Sequence, residues 1–289
     1  MIRAMRQLAW LLAISSASAS AQSPQAYIKS LYVESAGAFK VTPDGKPGLR
    51  ATSGAVRALQ YLGETDIPNQ ARLRAFVLSC YDPRTGAFAE PDGKPDVTIT
   101  SVGVMACFGL DIDKARIAKS MDYLRANAKS FEDVRISAAA VELFKSGGAP
   151  DPFDLDPWFR VAEAYRGSTD FKAGGARSLG SHAAFRLRLG RELDDSPAVS
   201  RMLRDSQRSD GGWGKTGENA SDLETTYRVM RALKHLKTTP DSAKLSAYLQ
   251  SCRNADGGSS MVPGGPSTMS GTYYAAAIAM WMKSLESGR

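Results

Sequence analysis

A repeated unit constrains this chain more than any other feature. Gly37-Ala38-Phe39, Gly86-Ala87-Phe88 and Gly211-Gly212-Trp213 each follow a helix-like stretch and precede a polar loop and a second, alanine-bearing helix. Gly257-Gly258-Ser259 repeats the glycines without the aromatic ring. The second helices carry Thr52 to Leu59, Thr100 to Cys107, Thr225 to Leu233 and Gly271 to Ile278. Gly37 and Gly86 lie 49 residues apart, and Gly211 and Gly257 lie 46 apart. Periods of this size denote stacked supersecondary units, none of which can bury its apolar face alone. The 125 residues from Gly86 to Gly211 leave room for two degenerate copies. Helical spacing of apolar residues predicts their second helices at 134–145 and 178–190.

Six such pairs can stack as an open superhelix or close into a ring. An open array must cover its two ends with polar capping units, and none is evident here. The expected fold is therefore all-α, an α/α toroid of about six helix pairs whose second helices surround a shared cavity. Alternating strand patterns are nearly absent. Pro150, Pro152 and Pro157 mark a loop inside the domain.

Composition narrows the class. With 43% hydrophobic and 23% charged residues the chain is globular, not disordered or collagen-like. The net charge of +7 is interspersed with acids and reads as a solvated surface, so no nucleic-acid partner is expected. Arg3 and Arg6 precede the apolar run Leu8 to Ile14, and Ala19-Ser20-Ala21 closes the segment. This is the layout of a secretory signal spanning 1–21, which leaves 22–289 as an exported, periplasmic or extracellular domain. The apolar run is too short to span a bilayer, and nothing comparable follows it. Cys80, Cys107 and Cys252 form no CxxC pair; they read as small buried apolar residues, with one bridge left open. No cofactor or metal is expected, and the sequence has no GxSxG, HExxH, P-loop or dinucleotide fingerprint.

The fifth unit is the most specific. Gln207-Arg208-Ser209-Asp210-Gly211-Gly212-Trp213, followed by Ser221-Asp222-Leu223-Glu224-Thr225-Thr226-Tyr227, resembles the Q-x3-G-x-W repeat of squalene and hopene cyclases. It equally resembles the glycine-rich repeat of protein prenyltransferase β subunits. The resemblance extends over four of the six units and implies an α/α toroid with an isoprenoid or lipidic molecule in its cavity. Gln207 can bond backbone at a helix end, Gly211 and Gly212 permit a tight turn, and Trp213 fills the gap between helices.

The same resemblance can be carried onto single residues. The zinc-binding Asp-x-Cys-Tyr run of the prenyltransferases aligns with Glu224-Thr225-Thr226-Tyr227, and their zinc-binding His falls on Gly271. Thiolate and imidazole are both missing, so zinc-dependent thioether formation is not expected. Of the cationic diphosphate-binding loop only Lys215 remains, beside Glu218 and Asn219. The cyclases' Asp-x-Asp-Asp-Thr aligns with Asp222-Leu223-Glu224-Thr225-Thr226. That register puts Glu224 at the proton donor and Asp222 at the first acid, with Thr225 in place of the last.

Glu224 and Asp222 are thus the candidate catalytic residues. Tyr227, Arg228, Arg231, Tyr273, Tyr274, Trp281 and Lys215 are candidates for ligand contact. Each has an ordinary alternative: Ser221 or Asp222 as helix cap, Glu224 as a first-turn acid, the rings as core filling. Glu224, Arg228, Arg231 and His235 share one helix face, opposite Val229, Leu233 and Leu236. Turned inward, that stripe suits an anion; turned outward, it is a solvated face with a weak ion pair. His235 stands roughly 16 Å from Glu224 along the axis, too far to be its partner. His182, beside Arg177 and Arg186, is a further candidate base. The expected function is binding or transformation of an isoprenoid or lipidic ligand in the cavity. The alternatives are a non-catalytic binding or scaffold module and a polysaccharide-active toroid.

Overall fold

A computed structural model of the chain describes residues 22–165 and 171–288; the segment read as an export signal lies outside the described residues. Helices follow one another in pairs: α1 (Pro24–Ser30) with α2 (Leu49–Tyr61), α3 (Gln70–Ser79) with α4 (Val97–Gly109), α5 (Lys119–Asn127) with α6 (Phe131–Phe144). Then come α7 (Asp156–Glu163) with α8 (Phe171–Arg188), α9 (Ser196–Asp205) with α10 (Leu223–His235), and α11 (Ser242–Ser251) with α12 (Met269–Glu286). The second members pack side by side in the order α2, α4, α6, α8, α10, α12, and α12 packs back on α2. The ring is closed, as the six-unit reading expects.

Both degenerate copies are present as α6 and α8, each starting earlier than the apolar spacing predicts. In α8, Gly175 at φ +61° and ψ −166° interrupts the helix. Inner helices touch lumen, outer helix and two neighbours at once, so they need no polar stripe toward solvent. Most residues of α4 from Val97 to Cys107 are accordingly buried.

One hydrogen bond defines the unit. The backbone N–H that ends the glycine turn donates to a threonine Oγ1 on the following inner helix: Phe39 to Thr52, Phe88 to Thr100, Trp213 to Thr226, Ser259 to Thr272, all at 3.0–3.1 Å. Ser259 therefore occupies the position of the aromatic ring in the sixth unit. Trp213, fully buried, also donates its indole N–H to the Leu203 carbonyl at 2.9 Å. Gln207 donates to the Gly211 carbonyl at 2.8 Å and accepts from the Asp241 N–H at 2.9 Å, tying its turn to the start of α11.

The turn glycines show how the ring shuts. Gly86 at φ +80° and Gly211 at φ +94° lie against the carbonyls of Lys119 and Lys244, where an added Cβ would approach to 2.3 and 2.0 Å. Gly257 at φ +84° makes the same approach to Ser23 at the cap of α1, with 2.5 Å to its carbonyl oxygen. The last unit thus grips the first as the others grip their successors. The Met269 N–H adds a bond to the Val41 carbonyl at 2.8 Å.

A two-residue hairpin, β1 (Tyr32–Val33) against β2 (Ala38–Phe39), is the only named sheet among the described residues. Cys107 and Cys252 are buried, Cys80 is partly so, and all three are free thiols. None of the described helices is long and apolar enough to cross a membrane.

Candidate functional site

The inner helices enclose two chambers that share a waist. Residues of all six inner helices line the upper chamber, of about 230 Å³: Arg50, Arg57, Glu132, Arg135, Ser181, Arg188, Glu224, Tyr227, Arg228, Arg231, Tyr273 and Tyr274 among them. Last-turn residues line the lower chamber, of about 340 Å³, including Tyr61, Glu142, His235 and Trp281. Arg57, Met105, Ala139, Arg188 and Arg231 border both. The stripe of Glu224, Arg228, Arg231 and His235 therefore faces inward, which settles the orientation that the helical spacing left open.

Asp222 is the N-cap of α10 and accepts from the Thr225 N–H at 2.8 Å. Its capping role fixes where α10 begins, one residue before the lumen face opens with Glu224. The Glu224 Oε1 accepts from Arg228 at 2.7 Å and from Arg177 at 2.8 Å. Arg228 reaches past α8 to grip Glu132 on α6 with both terminal nitrogens, at 2.9 and 3.2 Å, and Arg135 closes on the same carboxylate at 2.6 Å. An ionic strap thus runs Arg177, Glu224, Arg228, Glu132, Arg135 across three inner helices.

Burial alone would raise the Glu224 carboxyl, but the charges and hydrogen bonds of Arg228 and Arg177 outweigh it and hold the group below the usual carboxylate range. A carboxyl kept ionised by two guanidiniums is a poor proton donor at neutral pH. Arg188 makes a separate pair with Glu142 at 2.6 Å.

The other side of the waist joins cations to rings, with Glu142 in the lower chamber engaged by Arg188. Arg57 donates to the Tyr61 hydroxyl at 3.2 Å, contacts the Met105 sulfur at 3.2 Å and lies over the Tyr273 ring at 4.9 Å. Arg231 donates to the Tyr227 hydroxyl and stands 4.7 Å from both the Tyr227 and Trp281 ring centres. The hydroxyls of Tyr227 and Tyr273 are 2.9 Å apart. Among the described residues neither Arg57 nor Arg231 has a carboxylate at ion-pair distance. Burial works against ionising Tyr227, yet Arg231, Arg57, the Tyr273 hydrogen bond and Arg188 together hold its hydroxyl below an ordinary phenol. Tyr273 is pushed the other way, chiefly by burial.

Of the sequence candidates, Glu224, Tyr227, Arg228, Arg231, Tyr273, Tyr274 and Trp281 converge on the lumen. Lys215 does not: its ammonium sits on an exposed turn and pairs with Glu218 at 3.2 Å, away from both chambers. Asp222 is spent on its cap, and Gln207, Gly211, Gly212 and Trp213 do the repeat's packing. His182 is buried beside Phe131, with its Nε2 unpartnered among the described residues, and burial followed by Arg186 lowers it to about 4. His235 lines the lower chamber and is likewise lowered to about 4, by burial first and then, against the pull of Glu142, by Arg188 and Arg231.

Sequence reasoning missed Arg57, Glu132, Arg135 and Arg188. A signal for Arg57 exists: it lies five residues after Thr52, as Arg231 lies five after Thr226 and Met105 five after Thr100. Once the threonines are aligned, that register position points at the waist. No three acidic, cysteine or histidine side chains among the described residues gather as a metal-binding group.

The family model for the prenyltransferase alpha-alpha toroid domain matches residues 2–134 and 184–288. The chain belongs to that family, and the unmatched stretch coincides with most of its two degenerate units. No curated protein matches the chain.

Proposed function

We propose that this is an exported toroid protein that holds an isoprenoid-like or lipidic molecule by an acidic head group, as a binding module and not through Glu224 acid catalysis. One observation carries the reading: the upper chamber presents six arginines, Arg50, Arg57, Arg135, Arg188, Arg228 and Arg231, against two glutamates, Glu132 and Glu224. A bare hydrocarbon gains nothing from such a wall, whereas a carboxylate or phosphoryl head gains charge-assisted hydrogen bonds. Val102, Met105, Ile136 and Phe185 supply apolar wall for the remainder of the ligand. Family membership favours an isoprenoid body, and the N-terminal signal pattern favours export.

The test is mass spectrometry of small molecules extracted from natively purified protein, followed by calorimetry with farnesyl phosphate and farnesol. The expected result is an acidic amphiphile in the extract and binding of the phosphate but not the alcohol. Equal binding of both, or turnover of a terpene substrate that is lost in Glu224→Gln, overturns the reading. The two chambers on one waist favour a second reading, an acidic sugar chain lying along the lumen. Binding of galacturonate oligomers in place of farnesyl phosphate would select it.

A further inference from the structure

The guanidiniums of the lumen fall into two kinds. Arg135, Arg177, Arg188 and Arg228 each hold a glutamate. Among the described residues Arg57 and Arg231 do not, and unlike Arg50, which is exposed, they are half-buried and border both chambers. Their hydrogen-bond and ring partners carry no carboxylate: Met105, Tyr61, Tyr227, Tyr273 and Trp281, while Glu142 and Arg188 act on Arg231 at longer range. Aromatic faces stabilise a guanidinium from above, but its N–H donors in the plane still need acceptors. Tyrosine oxygens answer part of that charge, and a carboxylate or phosphoryl group would answer it more fully.

We propose that the waist is an oxyanion site, in which one carboxylate or phosphoryl group sits between Arg57 and Arg231 and takes over the hydrogen bond that Arg231 gives to Tyr227. This rests on the reading that the lumen takes an anionic ligand, and adds to it the place of the charged group and the residues that hold it. The two arginines come from α2 and α10, on either side of α12, and occupy the same register position of the repeat. Ring closure is what brings them together, because α12 must lie between the last unit's neighbour and the first. A group held there is reachable from either chamber.

Tyr227 supplies a second, independent readout. It is faced by Arg231 on its own helix, Arg57 on α2, Tyr273, Tyr274 and Trp281 on α12, and Arg188 on α8. Those cations favour its ionised form. An oxyanion bound between Arg57 and Arg231 offsets their field, so the phenol regains its proton. Binding then takes up a proton and strengthens as pH falls through the range where free Tyr227 titrates.

The experiment uses the mature chain, with inorganic phosphate and glucuronate as separate probes at constant chloride. Binding is followed by calorimetry and by the tyrosinate absorbance band, and Tm is recorded without ligand. Arg57→Met and Arg231→Met should each weaken the better probe by at least about tenfold, the effect of losing a charged hydrogen bond. They should also raise the ligand-free Tm, and Lys215→Met should do neither. Tyr227→Phe should abolish the absorbance change and, with glucuronate, the proton uptake.

Whichever probe prevails identifies the head group as carboxylate or phosphoryl. Unchanged affinity in both arginine variants overturns the waist site while leaving an anion-binding lumen intact, provided the wild type binds. A fall in Tm in both variants overturns it too, because the cations would then be structural. If neither probe nor farnesyl phosphate binds the wild type, the site and the lumen reading fall together.

Discussion

Units one, two, five and six hold their inner helices by one device, a threonine hydroxyl bonded to a glycine turn, which the described residues of units three and four do not repeat. The irregular arc instead supplies Glu132, Arg135, Glu142 and Arg188 to the lumen wall. Every glutamate-paired arginine in the lumen belongs to that arc or reaches across to it. Arg57 and Arg231, which form no ion pair among the described residues, stand on the regular arc among tyrosines. A repeat that only had to stack would keep six equal units. Here two units have surrendered the stacking motif and gained the counter-charges, which leaves an electrically asymmetric cavity inside a nearly symmetric ring.

The comparison can be broken most forcefully at the regular arc's clamp. Trp213→Ala removes a fully buried ring and should cost about 3–5 kcal/mol in urea unfolding, so a loss below about 1 kcal/mol would remove the clamp from the account. Next comes the turn. Gly211→Ala forces a Cβ to 2.0 Å from a carbonyl at φ +94° and should cost more than about 2 kcal/mol. Gly147, at φ +77° on the irregular arc, has open space around it, so Gly147→Ala should cost only about 1 kcal/mol of left-handed strain. Equal losses would erase the distinction between the arcs.

Two smaller effects sharpen it. The Trp158 indole N–H on the irregular arc is buried without a partner among the described residues, so Trp158→Phe should change stability by less than about 1 kcal/mol. Trp213→Phe, which gives up bonds to Leu203 and Ser206, should cost about 1–2 kcal/mol in the same assay.

The last prediction concerns pH. Burial would raise the Glu132 carboxyl, but the hydrogen bond from Arg228 and the charges of Arg135 and Arg228 bring it down to about 2. Its folded value thus lies below the ordinary 4.5, so the stability it contributes is present above that pH and is lost as pH falls toward 2. Glu132→Gln should flatten the acid limb of a Tm-against-pH curve. An unchanged limb would show that the strap carries no protonation-linked stability.

The fold was legible because its determinants are local and repeated. Glycines at Gly37, Gly86, Gly211 and Gly257 mark the same turn four times, and the helical periods of α6 and α8 fill the gap. The register left the cap of α10 at Ser221 or Asp222, and left open whether Tyr227, Tyr273 and Tyr274 line the cavity or fill the core. Of the charge pairing only the i,i+4 contact of Glu224 with Arg228 was legible. Glu132 meets Arg228 across 96 positions of chain, a contact set by ring closure and not by any local pattern. For the same reason spacing placed Glu224 on the right face but could not show that two arginines from two helices would hold it ionised. Lys215 failed for the opposite reason: a local motif match put a cation in sequence register with a binding loop, while the turn carried it outside.

The grip of Gly257 on Ser23 has a kinetic meaning. An open stack frays from its outermost member inward, whereas a hoop offers no loose member, and the first pair to leave must tear two seams together. Escape from the native state is then governed by that single concerted rupture. Such a molecule should exchange its inner-helix amides almost in unison and survive long exposure to proteases at modest thermodynamic stability.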